Sequence, residues 1–149
     1  MSIFDSPDEF YMREALRQAR LAFDDDEIPV GAVIVSADSI IARAYNQTER
    51  LHDVTAHAEM LAITAAANHL GAKYLTDCTL YVTLEPCPMC AAAAGWAQVS
   101  RIVYGAHDPK RGYTQFSPTL LHPRTEVLQG PLAGEAEALL KQFFKNKRG

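Results

Sequence analysis

Helical and strand-like patterns alternate along these 149 residues, and that alternation predicts an α/β fold: a three-layer α/β/α sandwich with a mixed, largely parallel central sheet. Two further observations support it. Short branched apolar runs of strand length are bounded by turn residues, and a strand–helix–strand run over 78–106 favours parallel neighbours. The length fits one domain, 1–149, able to bury a substantial core.

Ser6-Pro7-Asp8-Glu9 is a capping box with proline at the first helical position, and Met12, Leu16, Ala19 and Phe23 follow at helical spacing. Val30 to Val35 and Ile40 to Tyr45 read as a hairpin around Ser36-Ala37-Asp38-Ser39. A second helix runs from His57 and Ala58 to Leu70, ending near Gly71, with Asp53 and Thr55 as candidate caps. Cys78 to Leu84 is a strand leading into a helix that begins at or just before Pro88, and Cys78 reads as an inert buried residue. Arg101 to Ala106 is the next strand and Thr125 to Leu128 a short last one; Gly112 to Arg124 between them is the most irregular stretch. From Pro131, the spacing of Ala136, Leu139, Leu140 and Phe143 marks a closing amphipathic helix.

The chemistry concentrates in His57-Ala58-Glu59 and Pro86-Cys87-Pro88-Met89-Cys90. Cys87 and Cys90 at a helix start share one face of its first turn, where unpaired N–H groups favour thiolates. One imidazole and two thiols suit zinc, and three protein ligands leave the fourth position to water, whose pKa the metal lowers to about 7. Glu59 is then free to carry protons. Buried core thiols, a redox dithiol and a closed structural zinc site compete with this reading. Redox chemistry has no need of the His-x-Glu, and a closed site lacks a fourth ligand, since His52, His69, His107 and His122 have no ligand spacing. A catalytic zinc site is the expectation.

A hydrophobic content of 48% and a charged content of 21% are ordinary for a folded soluble protein. No apolar stretch reaches bilayer length, and Met1-Ser2-Ile3-Phe4-Asp5 lacks the features of an export signal, so a cytoplasmic location without membrane contact is expected. With three cysteines, two of them metal ligands, a disulfide framework is not expected. The net charge of −4 argues against indiscriminate nucleic-acid binding. Charge is unevenly spread, however: Asp24 to Glu27 is acidic, while Lys110-Arg111 and the end of the chain, with Lys141, Lys145, Lys147 and Arg148, are basic. The basic end reads as a solvated helix terminus whose cations suit the helix dipole; phosphate contact becomes a second reading only through a family resemblance.

The His-x-Glu and Pro-Cys-x-x-Cys pair is the established signature of zinc deaminases, and the chain resembles that cytidine deaminase-like superfamily. It is most similar to the bacterial tRNA adenosine deaminases, through Glu27 to Val33, Asn46, Asp53 with Thr55 to Glu59, Leu80 to Cys87, Ser100 to Ile102, Gly105-Ala106 with Asp108 and Lys110, and Phe143-Phe144 before the basic end. The resemblance implies one Zn2+ per subunit held by His57, Cys87 and Cys90. It also implies proton transfer by Glu59 during attack on C6 of adenine, with inosine and ammonia as products. It further implies substrate contacts from Asn46, Val30, Pro29 and Asp108; without it, Asn46 can be read as a turn residue ending the second strand, and Asp108-Pro109-Lys110 as a plain turn. Lys110, Arg111, Phe144, Lys147 and Arg148 are its candidates for RNA contact. A tRNA anticodon loop as partner and a homodimer complete the implied picture; Gly112 to Arg124 departs from the family pattern. The alternatives are a free nucleobase or nucleoside deaminase, of guanine or cytosine deaminase type, and a noncatalytic zinc module.

Overall fold

The computed structural model describes residues 6–149; the expectation drawn from Met1–Asp5 lies outside them. Helix α1 (Pro7–Asp24) opens as its capping box predicts: Ser6 Oγ accepts from Glu9 N at 3.1 Å. Strands β1 (Gly31–Ser36) and β2 (Ser39–Tyr45) follow, with Ala37 and Asp38 both at positive φ in the two-residue hairpin turn that matches strand twist. Next come α2 (Ala58–Leu70), closed by Gly71 in the left-handed conformation, β3 (Cys78–Leu84), α3 (Pro88–Ala97) and β4 (Arg101–Ala106). A 3₁₀ turn at Tyr113–Gln115 sits in the irregular stretch before β5 (Glu126–Gln129) and α4 (Ala133–Arg148).

The five strands form one sheet in the order β2-β1-β3-β4-β5. It is mixed as expected, but evenly so: β1 is antiparallel to β2 and β3, while β3–β4 and β4–β5 are parallel. The hairpin supplies the β1–β2 pair, the connection through α2 sets β3 antiparallel on the other side of β1, and crossover connections supply the parallel pairs.

Alternation along the strands divides the core into two layers. Ala32, Ile34, Leu80, Val82, Ile102 and Tyr104 pack with Ala58, Ala62 and Ala66 of α2 and Ala94 and Ala97 of α3. Val33, Val35, Tyr81 and Val103 face the other way onto Met12 and Ala15 of α1, and Ala136 of α4 joins Leu16 and Ala106 there. The α2 and α3 faces are largely alanine, which brings their backbones close to the sheet. At Gly31 the approach of α1 is closer still, since a Cβ there would lie 2.1 Å from Ala15 O.

Strand directions then decide where the site lies. Gly31 pairs with Tyr45, Ala32 with Val82, and Leu84 with Ala106, so the entry to β1 and the exits of β2, β3 and β4 share one end of the sheet. Asn46, Val30, Cys87 and Asp108 are brought to that end from four separate parts of the chain. Cys78 opens β3 and is buried, as expected.

Candidate metal centre and active-site cleft

The approach to α2 differs from its expected capping. Asp53 Oδ1 accepts from Thr55 N at 2.8 Å and from Thr55 Oγ1 at 2.7 Å, closing a local turn and not the helix. The N-cap of α2 is His57 itself, still extended at φ −73° and ψ 153°, and its side chain makes no capping bond. Its ring is turned instead toward the thiols. Glu59, the second helical residue, can share the site because the chain has only just begun to coil. Cys87 is likewise the N-cap of α3, with Pro88 next and Cys90 in the first turn.

His57 Nδ1 lies 3.6 Å from Cys87 Sγ and 3.5 Å from Cys90 Sγ, and the three donor atoms all lie within 4.8 Å of one another. Tetrahedral zinc with ordinary Zn–N and Zn–S bonds requires N···S separations of about 3.6 Å. These residues therefore fit zinc by donor chemistry and by spacing, and among the described residues they form the one such cluster.

Charge in the protein alone matches a cation site. A hydrogen bond from Cys90, with help from His57, brings the Cys87 thiol down to about 4, while the same bond and burial push Cys90 up. His57 is raised, mainly by its bond to Cys87. The cluster thus holds an anionic sulfur together with protons that a metal must displace. Burial is the main influence on Glu59 and pushes it up to about 7, with the Cys87 charge adding to the rise. A divalent cation among the donors would draw Glu59 back toward its carboxylate form.

The centre lies in a cleft of about 800 Å³. His57, Glu59 and Cys87 line it together with Val30 and Asn46; Cys90 is buried behind them. Asn46 is only 6% exposed and its backbone N–H donates to Val30 O at 3.0 Å, so it extends the hairpin by one residue and faces the cleft as well. Asp108, Lys110 and Arg111 line the cleft from the exit of β4, and Phe144 and Arg148 line it from α4. Asp108 also makes the turn that its sequence suggests, as its Oδ1 accepts from Lys110 N at 3.1 Å and Arg111 N at 3.0 Å.

Two expected residues lie elsewhere. Pro29 is buried and Ile28 lines the cleft in its place, while Lys147 turns away to pair with Asp26, Nζ to Oδ2 2.6 Å. The cleft also contains Lys141, which belongs to the basic end, and Glu85, His107, Glu137 and Leu140, which were not anticipated as site residues. For α4 a signal existed: 137, 140, 141, 144 and 148 recur at intervals of three and four and make one helix face. For Glu85 and His107 there was none, because their meeting depends on the parallel pairing of β3 and β4.

Residues 5–106 match the family described as the cytidine and deoxycytidylate deaminase zinc-binding region. The chain belongs to that family. As a zinc deaminase it is 46% identical over 143 residues to the tRNA-specific adenosine deaminase of Agrobacterium fabrum (strain C58), covering 93% of this chain and 94% of that one. A solved structure from work on A-to-I editing by tRNA:A34 deaminases at the wobble position of transfer RNA superposes on this deaminase fold with a TM-score of 0.83 at 44% identity, over 88% of this chain and 99% of the other. A guanine deaminase from Nitrosomonas europaea superposes with a TM-score of 0.79 at 26% identity, over 95% of this chain and 86% of that one.

Proposed function

We propose that the protein is a zinc-dependent hydrolase that converts adenosine to inosine at the wobble position of a tRNA anticodon, releasing ammonia. The observation that carries this reading is the near full-length likeness to tRNA-specific adenosine deaminases, joined to a cleft that has zinc donors and a buried acid inside and cations along its edge. Lys110, Arg111, Lys141 and Arg148 suit the phosphates that flank a target nucleotide. An anticodon loop suits such a cleft because its bases unstack more cheaply than those of a duplex.

His57, Cys87 and Cys90 would hold one zinc ion per chain, whose Lewis acidity would make water nucleophilic near neutral pH. Glu59 does the proton work. Its carboxylate takes a proton from the attacking water and passes it to the ring nitrogen beside C6. It then moves the remaining hydroxyl proton to the departing amine, so that adenosine and water become inosine and ammonia. Asn46 and Val30 border the base and Asp108 the flanking nucleotide; Lys110, Arg111, Phe144 and Arg148 meet the RNA, and Lys147 reaches it only by giving up Asp26.

Among the described residues no helix is long and apolar enough to cross a membrane. A cytoplasmic location is part of the proposal, and the tRNA-modifying role supports it. A homodimer is part of the proposal: Val54 just before α2 and Trp96 on α3 are 85% and 83% exposed, beside the segments that carry the ligands, and a second copy would cover them.

The likeness to a guanine deaminase favours a second reading, action on a free base. Incubating the protein with a tRNA bearing wobble adenosine, and in parallel with free guanine, cytosine and adenosine, separates the two. Inosine confined to the tRNA is the expected result; ammonia released from a free base with the tRNA unchanged rejects the proposal.

A further inference from the structure

Glu85 stands two residues before Cys87, and its side chain has no solvent exposure. All four bonds to its carboxylate come from one segment downstream. Oε1 accepts from His107 Nδ1 at 2.5 Å and Asp108 N at 3.2 Å, and Oε2 accepts from Thr114 N at 3.2 Å and Thr114 Oγ1 at 2.8 Å. Residues 107–114 therefore wrap around a single buried side chain. Gly112 permits the wrap, since a Cβ at that position would lie 2.2 Å from Oε2. One further bond, Tyr113 N to Pro86 O at 2.9 Å, ties the same segment to the residue before Cys87.

Burying a carboxylate costs several kcal/mol unless its lone pairs are well used, and apolar packing could have held a loop at less expense. What a carboxylate adds is register, because four donors from three residues fit it in one arrangement. The segment so fixed carries Lys110 and Arg111, which line the cleft. We propose that Glu85 is a positioning residue for the RNA substrate, holding the 107–114 segment, and with it Lys110 and Arg111, at a set place relative to the metal ligands. It acts through those cations and touches no reacting atom. The inference rests on the tRNA reading above.

Glu85→Gln tests it, because either orientation of the amide sets an NH2 group against a backbone N–H, of Asp108 or of Thr114. Thr114→Val is the milder companion, removing one side-chain bond to Oε2. Both variants are compared with wild type for zinc content, kcat and KM on tRNA, and the salt dependence of tRNA binding. The expected result for Glu85→Gln is unchanged zinc content, kcat within about threefold, KM raised about tenfold, and a salt slope flatter by up to about 2. Thr114→Val shifts KM the same way by a smaller factor. Adding Glu85→Gln to the double variant Lys110→Ala, Arg111→Ala should weaken binding little further, since all three changes remove the same contacts. An active wild type with KM unmoved in both variants, zinc lost in both, or a fully additive triple variant overturns the assignment of Glu85. If Glu85→Gln does not fold, KM in Thr114→Val decides. A wild type inert on tRNA overturns the substrate reading instead, and the two failures are distinct.

Discussion

Replacing Glu59 by Gln should separate chemistry from folding. The residue is 4% exposed, it lines the cleft, and among the described residues no other free acid is buried beside the proposed metal ligands, as Glu85 is occupied by His107, Asp108 and Thr114. A positioned acid–base group contributes about 10² to 10⁴ in rate, and the proposed mechanism gives Glu59 more than one transfer, so kcat should fall by at least about 10³, or about 4 kcal/mol of barrier. Zinc should stay, because the donor set does not include Glu59. Stability should move the opposite way. An acid raised from 4.5 to about 7 by burial opposes folding once the unfolded chain ionises above 4.5, and the penalty is complete above about 7. For the metal-stripped protein at pH 8 the amide should therefore be more stable by up to about 3 kcal/mol, with little difference near pH 4. Single-turnover ammonia release, metal analysis and urea unfolding at the two pH values measure the three quantities. Turnover within tenfold of wild type, or zinc lost with the carboxylate, would refute the assignment.

The proposed metal ligands should behave differently: Cys87→Ala and Cys90→Ala are expected to purify with less than about a tenth of wild-type zinc. Because metal must displace the raised proton of His57 and the one shared by the thiols, a chelator should strip the wild type more readily near pH 5 than near pH 8, as followed by metal analysis. At the other end of the sheet, Arg101 clamps Asp8 through bonds of 2.8 and 2.7 Å and, as the largest influence, holds its carboxyl below the ordinary 3.8 despite partial burial. This contribution is present above 3.8 and is lost as pH falls through the lowered folded-state value. Asp8→Asn should thus cost about 1–2 kcal/mol in urea unfolding near pH 7 and much less near pH 2.

Local patterns carried most of this molecule in its sequence. The capping box at Ser6, the two branched runs of the hairpin, and the paired His-x-Glu and Cys-x-x-Cys each announce themselves within a few residues. What eluded sequence reasoning depends on distant strands lying side by side. The even split between parallel and antiparallel pairs follows from β1 inserting between β2 and β3, which no short window contains. Glu85 needs β3 and β4 in register before it can meet His107. Lys147 sat in a plausible basic run, yet Asp26, far back in the chain, holds it. The caps proposed for α2 failed for a local reason: Asp53 bonds Thr55 before the helix begins.

Arg101 and Asp8, with Tyr81 and Glu126, occupy the edge of the sheet where β3, β4 and β5 begin, and every cleft-lining strand exit lies at the opposite edge. The Asp8–Arg101 clamp can therefore be strengthened or removed without altering any strand exit that lines the cleft, whereas a change at Glu59 alters stability and the site together.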